Sequence, residues 1–382
     1  MRNIDCERLK QAVDEHTGAD VLSGRVLGGA ISVFQNGTTA YQACFGHADV
    51  AKTRPVTSKT VFRLASMTKP ITAAVTMAMV DRGRISLDDP ISKYLPYMEH
   101  LRIGKINEAG EVCITGEART PITARHILTH TSGIGSGALF THFYRTTPPQ
   151  VMKTLSASVE WYASLPLSFE PFTTFEYSGT AAFDTLAHAL ERIADMRYEE
   201  LVKKLILDPC EMADTTFEPT AEQWGRMIEM HDYCNGQAAS SPTVSGCVFE
   251  NYPTTHPAAG AGLISTLDDY SHFAGMLLDG GCYGKRRVLS NEAVCTMTSA
   301  QAPVLRKDGA SRWGLGGRVI TSEQYGALPV GTYGWSGAYG THFWIDPANR
   351  IYAIYLKNSR YDGGSGNKTG KQLEWDVANA LL

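Results

Sequence analysis

The sequence predicts an α/β (α+β) fold in which a sheet flanked by helices is interrupted by an inserted, mainly helical domain. Three observations carry this expectation. β-rich runs lie near both ends of the chain, helical patterns and loops fill the middle from Ser66 to about Cys247, and one more helical pattern closes the C-terminus. Strands at both ends with helices between place a discontinuous sheet domain in residues 1–60 and 256–382, and a mainly helical domain in 61–255.

Taken in order, residues 5–16 read as a helix, with Ile4, Leu9 and Val13 spaced for one face. Gly28–Phe34 and Thr39–Gly46 are β-rich runs on either side of Asn36-Gly37, the strongest short hairpin signal. Helical patterns cover 66–82, 122–129, 150–164 and 181–207. After Ala258-Ala259-Gly260-Ala261-Gly262 comes a helix over 267–279, then a turn over Gly280–Lys285 with a basic flank. Strands follow at Trp313–Ile320, Tyr333–Ser336, His342–Asp346 and Arg350–Lys357, and a last helix runs from Gln372 to Leu382. There is no internal repeat, and the one low-complexity tract is Gly363-Gly364-Ser365-Gly366.

Bulk properties exclude several classes. In 382 residues, 43% are hydrophobic and 19% charged, the profile of an ordinary globular chain with ample core. A net charge of -4 and the lack of any Lys/Arg-rich run argue against nucleic-acid partners. The longest apolar run, Ile71 to Val80, is too short to span a bilayer, and the polar start Met1–Arg8 carries no apolar signal region. These features lead to the expectation of a cytoplasmic protein without a membrane partner. Eight scattered cysteines, with no Cys-x-x-Cys and no metal spacing, read as buried reduced thiols and predict no metal. Asn36-Gly37-Thr38 and Asn367-Lys368-Thr369 are glycosylation sequons by pattern only.

The chemistry concentrates at Ser66-Met67-Thr68-Lys69. Residues three apart on a helix share a face, so the Ser66 hydroxyl and the Lys69 amine can meet. Pro70 suits only a first turn, which puts Ser66 at the helix N-terminus, where free N–H groups favour a developing oxyanion. A serine needs a base to attack, and a lysine in a dry cleft can lose its proton and serve. By itself the four-residue pattern recurs by chance on solvated helices; its flanks raise it above chance.

Those flanks resemble the serine β-lactamase and penicillin-recognising hydrolase superfamily, in the branch holding class C β-lactamases, DD-peptidases and β-lactamase-like (family VIII type) carboxylesterases. The resemblance runs through Phe62-Arg63-Leu64-Ala65-Ser66-Met67-Thr68-Lys69-Pro70, Gly83–Pro90 with Tyr94-Leu95-Pro96, Ile127–Gly133, Tyr177-Ser178-Gly179 and Ala259–Thr266, over nearly the whole chain. It implies an antiparallel sheet flanked by helices, no cofactor, and an acyl-enzyme on Ser66 with Lys69. Tyr177 matches the second motif's tyrosine as a general base, whereas residues alone would make it a core tyrosine before the next helix. Gly179 stands where that motif has asparagine, which removes an amide contact to an acylamino group.

The third motif, usually Lys-Thr-Gly on a strand, has two candidates. A literal Lys368-Thr369-Gly370 follows the last strand and leads into a helix, whereas Trp335-Ser336-Gly337-Ala338 has the strand context and is preferred. The resemblance then implies an oxyanion hole from the N–H groups of Ser66 and Ala338, with Trp335, Ser336, Gly337 and Gly179 contacting substrate. Tryptophan in place of lysine offers an apolar face and one N–H, which suits esters better than carboxylates. Arg360 or Lys357 could restore the positive charge.

Other readings fare less well. Gly334-Trp335-Ser336-Gly337-Ala338 misses the Gly-x-Ser-x-Gly of a Ser-His-Asp hydrolase, and structural roles are expected for His130 and His342. Cys113 and Cys210 have no evident base, and Gly260 and Gly262 read as close backbone packing, not a phosphate loop. The expected function is a serine hydrolase on small-molecule esters or amides, most simply a carboxylesterase on short acyl esters. The alternatives are a class C-like β-lactamase, a D-amino-acid peptidase or DD-peptidase, and, of another class, a non-catalytic binding module on the same fold. The oligomeric state is not legible.

Overall fold

The computed structural model describes residues 1–145, 151, 153–241, 256–303, 306–364 and 367–382. Residue 150 at the start of the predicted 150–164 helix, Cys247, the 255/256 domain boundary and Ser365-Gly366 lie outside these.

A seven-stranded antiparallel sheet joins the two ends of the chain. Its order is 311–313, 318–320, 333–336, 342–346, 351–356, 28–35, 38–46, so the N-terminal hairpin docks on the last strand, with Ile31 opposite Tyr355 and Val33 opposite Ala353. Asn36 and Gly37 both take positive φ (50° and 87°), the twist a two-residue hairpin needs. Alternation along the strands gives the sheet two apolar faces. Ile31, Val33, Trp344 and Tyr355 pack with Leu9 and Val13 of helix Cys6–Leu22 and with Leu373 and Val377 of helix Lys368–Ala380. On the opposite face Phe343 meets Tyr270 of helix Leu267–Leu278 edge-on at 5.0 Å. Each such side chain, once fully buried, contributes about 1.5–3 kcal/mol of transfer free energy.

That second face continues into the helical part. Helix Thr68–Asp81 is buried around nearly its whole circumference, which its apolar run demands. Pro70 sits in its first turn, where no N–H is missed. Three hydroxyls pin the helix: Thr72 Oγ1 donates to Ala259 O (2.6 Å), Tyr198 OH to Thr72 Oγ1 (2.8 Å) and Tyr270 OH to Met67 O (2.9 Å).

Several boundaries differ from expectation for local reasons. The predicted 181–207 helix breaks after Ala181–Ala194, because Asp195 is left-handed (φ 49°) and caps it; Tyr198–Val202 resumes and ends in a π turn, Lys203–Leu207. The C-terminal helix starts four residues early, at Lys368, because the Asn367 side chain accepts from Gly370 N at 2.6 Å. The hairpin Arg102–Ile106 with Val112–Glu117 was not predicted; its second strand is largely exposed and carries no apolar alternation. None of the seven described cysteines forms a disulfide, but only Cys210 is buried, which corrects the expectation of buried thiols. Among the described residues no helix is long and apolar enough to cross a membrane.

Candidate active site

Ser66 lies in a single 3₁₀ turn, Ala65–Met67, that feeds helix Thr68–Asp81. The chain reaches it from a short strand, Phe62–Arg63, paired with Ile264–Ser265, and Leu64 N donates to Leu263 O at 2.9 Å. Ala65 is held at φ 47°, which costs a non-glycine residue roughly 1–2 kcal/mol and places a strained residue directly before the serine. Packing enforces it: Thr341 Oγ1 donates to Leu64 O at 2.8 Å, and a side chain at Gly337 would run into both groups. Gly337 thus lets the turn after strand Tyr333–Ser336 press against the Ser66 turn.

Three side chains from distant segments meet there. Tyr177 OH lies 2.7 Å from Ser66 Oγ, and Lys69 Nζ lies 3.4 Å from the same oxygen. Lys69, fully buried, also donates to Gly179 O at 2.6 Å and Gly260 O at 2.8 Å. Two carbonyls therefore hold two of its protons and aim the remaining position, proton or lone pair, at Ser66. The Lys69 ammonium is 4.8 Å from the Tyr177 ring centroid, and Trp335 Nε1–H donates to Tyr177 OH at 3.3 Å.

Gly179 and Gly260 emerge as the clamp on Lys69. Gly179 offers its carbonyl, and a Cβ added there would meet open space. At Gly260 a Cβ would lie 2.5 Å from Gly179 O and 3.2 Å from Lys69 Nζ, so close packing, the reading of this glycine from sequence, is what delivers its carbonyl to the lysine. His130 is buried behind Tyr177, with ring centroids 4.4 Å apart, and accepts from Ser178 N at 3.2 Å. Burial pushes its imidazole well below the usual range, and the charges of Lys69 and Arg306 push the same way, so it stands as a neutral wedge.

The trio opens on a cavity of ≈ 910 Å³ whose wall includes Phe169, Phe175, Trp313 and Trp335. Ser336 and Ala338 also line it, and the Ala338 N–H donates to no group among the described residues. The cations on the wall are Arg306, Lys307, Arg318 and Lys371, not the expected pair. Lys357 is buried against Asp362 at 2.8 Å, and neither it nor Arg360 lines this cavity. Sequence reasoning missed Arg306, whose guanidinium sits 4.2 Å from the Trp313 ring and 4.8 Å from Trp335. Burial, with the nearby Arg318 charge, pushes it down to about 10. Nothing local in Leu305-Arg306-Lys307-Asp308 signals that placement. The literal Lys368-Thr369-Gly370 forms the first turn of the C-terminal helix, with Thr369 Oγ1 tied to Asp362 at 2.9 Å. Among the described residues no His, Cys, Asp or Glu cluster could hold a metal ion.

Comparison with known proteins places this geometry in context. A family model described as Beta-lactamase matches residues 8–374. Protein Rv1367c of Mycobacterium tuberculosis is 32% identical over 363 residues, covering 88% of this chain and 87% of that protein. Esterase EstB of Burkholderia gladioli is 27% identical over 401 residues, covering 96% and 95%. Among solved structures, EstCE1, a hydrolase with promiscuous acyltransferase activity, superposes with a TM-score of 0.81 at 24% identity, covering 98% and 99%; at that identity it speaks for the fold alone.

Proposed function

The chain belongs to the beta-lactamase family, and from that premise we propose that it is a serine hydrolase acting through an acyl-enzyme on Ser66, a carboxylesterase on short acyl esters. The observation that carries the proposal is Tyr177 OH at 2.7 Å from Ser66 Oγ, with Lys69 beside both, at the mouth of a tryptophan-walled cavity. Ser66 Oγ attacks the acyl carbon while its proton passes to the Tyr177–Lys69 pair. The N–H groups of Ser66 and Ala338 receive the oxyanion. The pair returns the proton to the departing alcohol, and water then repeats the sequence to release the acid and restore Ser66. The shorter contact makes Tyr177 the better placed group to take the serine proton.

Ester preference is supported by Trp335 at the lysine position of the third motif, by Gly179 in place of an amide, and by the esterase relative EstB. One observation favours the second reading, a class C-like β-lactamase or peptidase: Arg306 and Lys307 line the cavity and could receive a carboxylate. The deciding experiment compares kcat/KM for p-nitrophenyl butyrate and nitrocefin under identical conditions. Faster butyrate turnover is expected, and faster nitrocefin turnover would overturn the esterase assignment. Ser66→Ala should abolish both activities and labelling by a fluorophosphonate; a wild-type chain that neither turns over nor labels would be a binding module.

A further inference from the structure

Two carbonyl oxygens, Gly179 O and Gly260 O, converge on Lys69 Nζ at 2.6 and 2.8 Å. Dipoles aimed at one point repel each other, so such an arrangement needs ties beyond the lysine itself. The residue before Gly260 supplies them. Ala259 O accepts from Thr72 Oγ1 at 2.6 Å, and Ala259 N donates to Asp184 Oδ1 at 2.9 Å. Ala259 is thus held from both sides, by helix Thr68–Asp81 through Thr72 and by helix Ala181–Ala194 through Asp184. Thr72 is fixed in turn by Tyr198 OH at 2.8 Å.

An acidic side chain in a first helical turn ordinarily faces water and complements the helix dipole. Asp184 is instead 1% exposed. Its Oδ1 is spent on a loop 75 residues away, and its Oδ2 lies 3.5 Å from His256 Nε2. The same helix start delivers the other half of the clamp, because Gly179 stands just before it and Ser178 Oγ accepts from Ala182 N at 3.1 Å. Resting on the reading of Lys69 as a partner in the proton traffic at Ser66, we propose that Asp184 is a positioning residue for Lys69. Its oxygen holds Ala259, and through it the Gly260 carbonyl, in place while Lys69 shares a proton with Ser66 and Tyr177 and takes it back. Without that tie the two carbonyls are free to part once the lysine has fewer protons to offer them. The role needs only an oxygen that accepts, which an amide supplies as well as a carboxyl does.

The test is steady-state hydrolysis of p-nitrophenyl butyrate and p-nitrophenyl octanoate, with single-turnover labelling of Ser66 by a fluorophosphonate. Asp184→Ala should lower kcat/KM and the labelling rate together by roughly tenfold, the order of one hydrogen bond. The butyrate-to-octanoate ratio should stay as in wild type, because Asp184 does not line the cavity. Asp184→Asn should recover most of the lost rate. Gly260→Ala and Asp184→Ala act on one carbonyl, so the double variant should be little slower than the slower single variant. Thr72→Val against Thr72→Ser repeats the contrast from the other side of Ala259, and decides the matter if Asp184→Ala does not fold. A merely structural Asp184 would lower Tm and leave the folded enzyme at full rate. That result, an Asp184→Asn as slow as Asp184→Ala, or losses that multiply in the double variant would each overturn the proposal. Lys69→Met tests the underlying reading separately. Turnover at the wild-type rate in Lys69→Met would overturn the role of Lys69 and this inference with it, whereas an inactive Lys69→Met beside a fully active Asp184→Ala would overturn the inference alone.

Discussion

At Ser66 two candidate bases compete, and distance separates them: 2.7 Å to the Tyr177 hydroxyl against 3.4 Å to Lys69 Nζ. Lys69 spends its other donors on two carbonyls, so its geometry suits holding charge near Tyr177 as well as accepting a proton. Tyr177→Phe should therefore lower kcat by ~10²-fold or more with little change in the circular dichroism spectrum. Retention of most activity would reduce Tyr177 to a packing role. Gly179 allows a converse prediction. A side chain there meets open space and leaves the carbonyl to Lys69, so Gly179→Asn should be tolerated. The new amide should raise kcat/KM for nitrocefin, relative to p-nitrophenyl butyrate, by roughly 2–12-fold, the range of one neutral hydrogen bond. No change in that ratio would mean the residue 179 side chain does not face the acylamino group.

Two elements hold Lys69 in place, helix Thr68–Asp81 that carries it and the loop at 258–262 laid across that helix. Their contact is backbone against side chain, with Thr72 Oγ1 on Ala259 O and Lys69 Nζ on Gly260 O. A methyl at Gly260 would press on the Gly179 carbonyl, which is backbone and cannot swing away. Gly260→Ala should thus open the lysine clamp and lower kcat more than tenfold, while Tm falls by only a few degrees, the shift that about 1 kcal/mol produces in a chain of this size. Equal activity in Gly260→Ala and wild type would show that the clamp is dispensable. Element context also separates the two third-motif candidates: Trp335 lies on a strand beside Tyr177, whereas Lys368 opens a helix capped by Asn367.

For the whole molecule, the network of Arg318, Tyr325, His342 and Glu374 fastens the C-terminal helix to the sheet. The Glu374 carboxyl has an ordinary value of 4.5 and is held down to about 2 in the fold, where His342 and Arg318 outweigh the burial that alone would raise it. A depressed carboxyl binds fewer protons folded than unfolded, so its contribution to stability is fully present above pH 4.5 and is lost as pH falls toward 2. Thermal melts should show Tm dropping across that window, and Glu374→Gln should flatten the drop while lowering Tm at pH 7. An unaltered acid slope in Glu374→Gln would locate the acid sensitivity elsewhere.

Short-range order was legible in the residues. The spacing of Ser66 and Lys69 with Pro70 behind them determined a serine and an amine on one face of a helix start. Asn36-Gly37 determined a hairpin, and the strands Tyr333–Ser336 and His342–Asp346 end where the sequence pattern ends, because turn chemistry and alternation act over a few residues. The tertiary structure decided the rest. Tyr177 reaches Ser66 across 111 residues, Gly260 reaches Lys69 across 191, and Arg306 lies over two tryptophans with no local pattern announcing it. Glu374 was equally invisible as the buried partner of His342. Periodicity encodes which face of an element is buried, but not which distant element covers it; that choice is made by close packing and by the need to pair buried polar groups once the chain has collapsed.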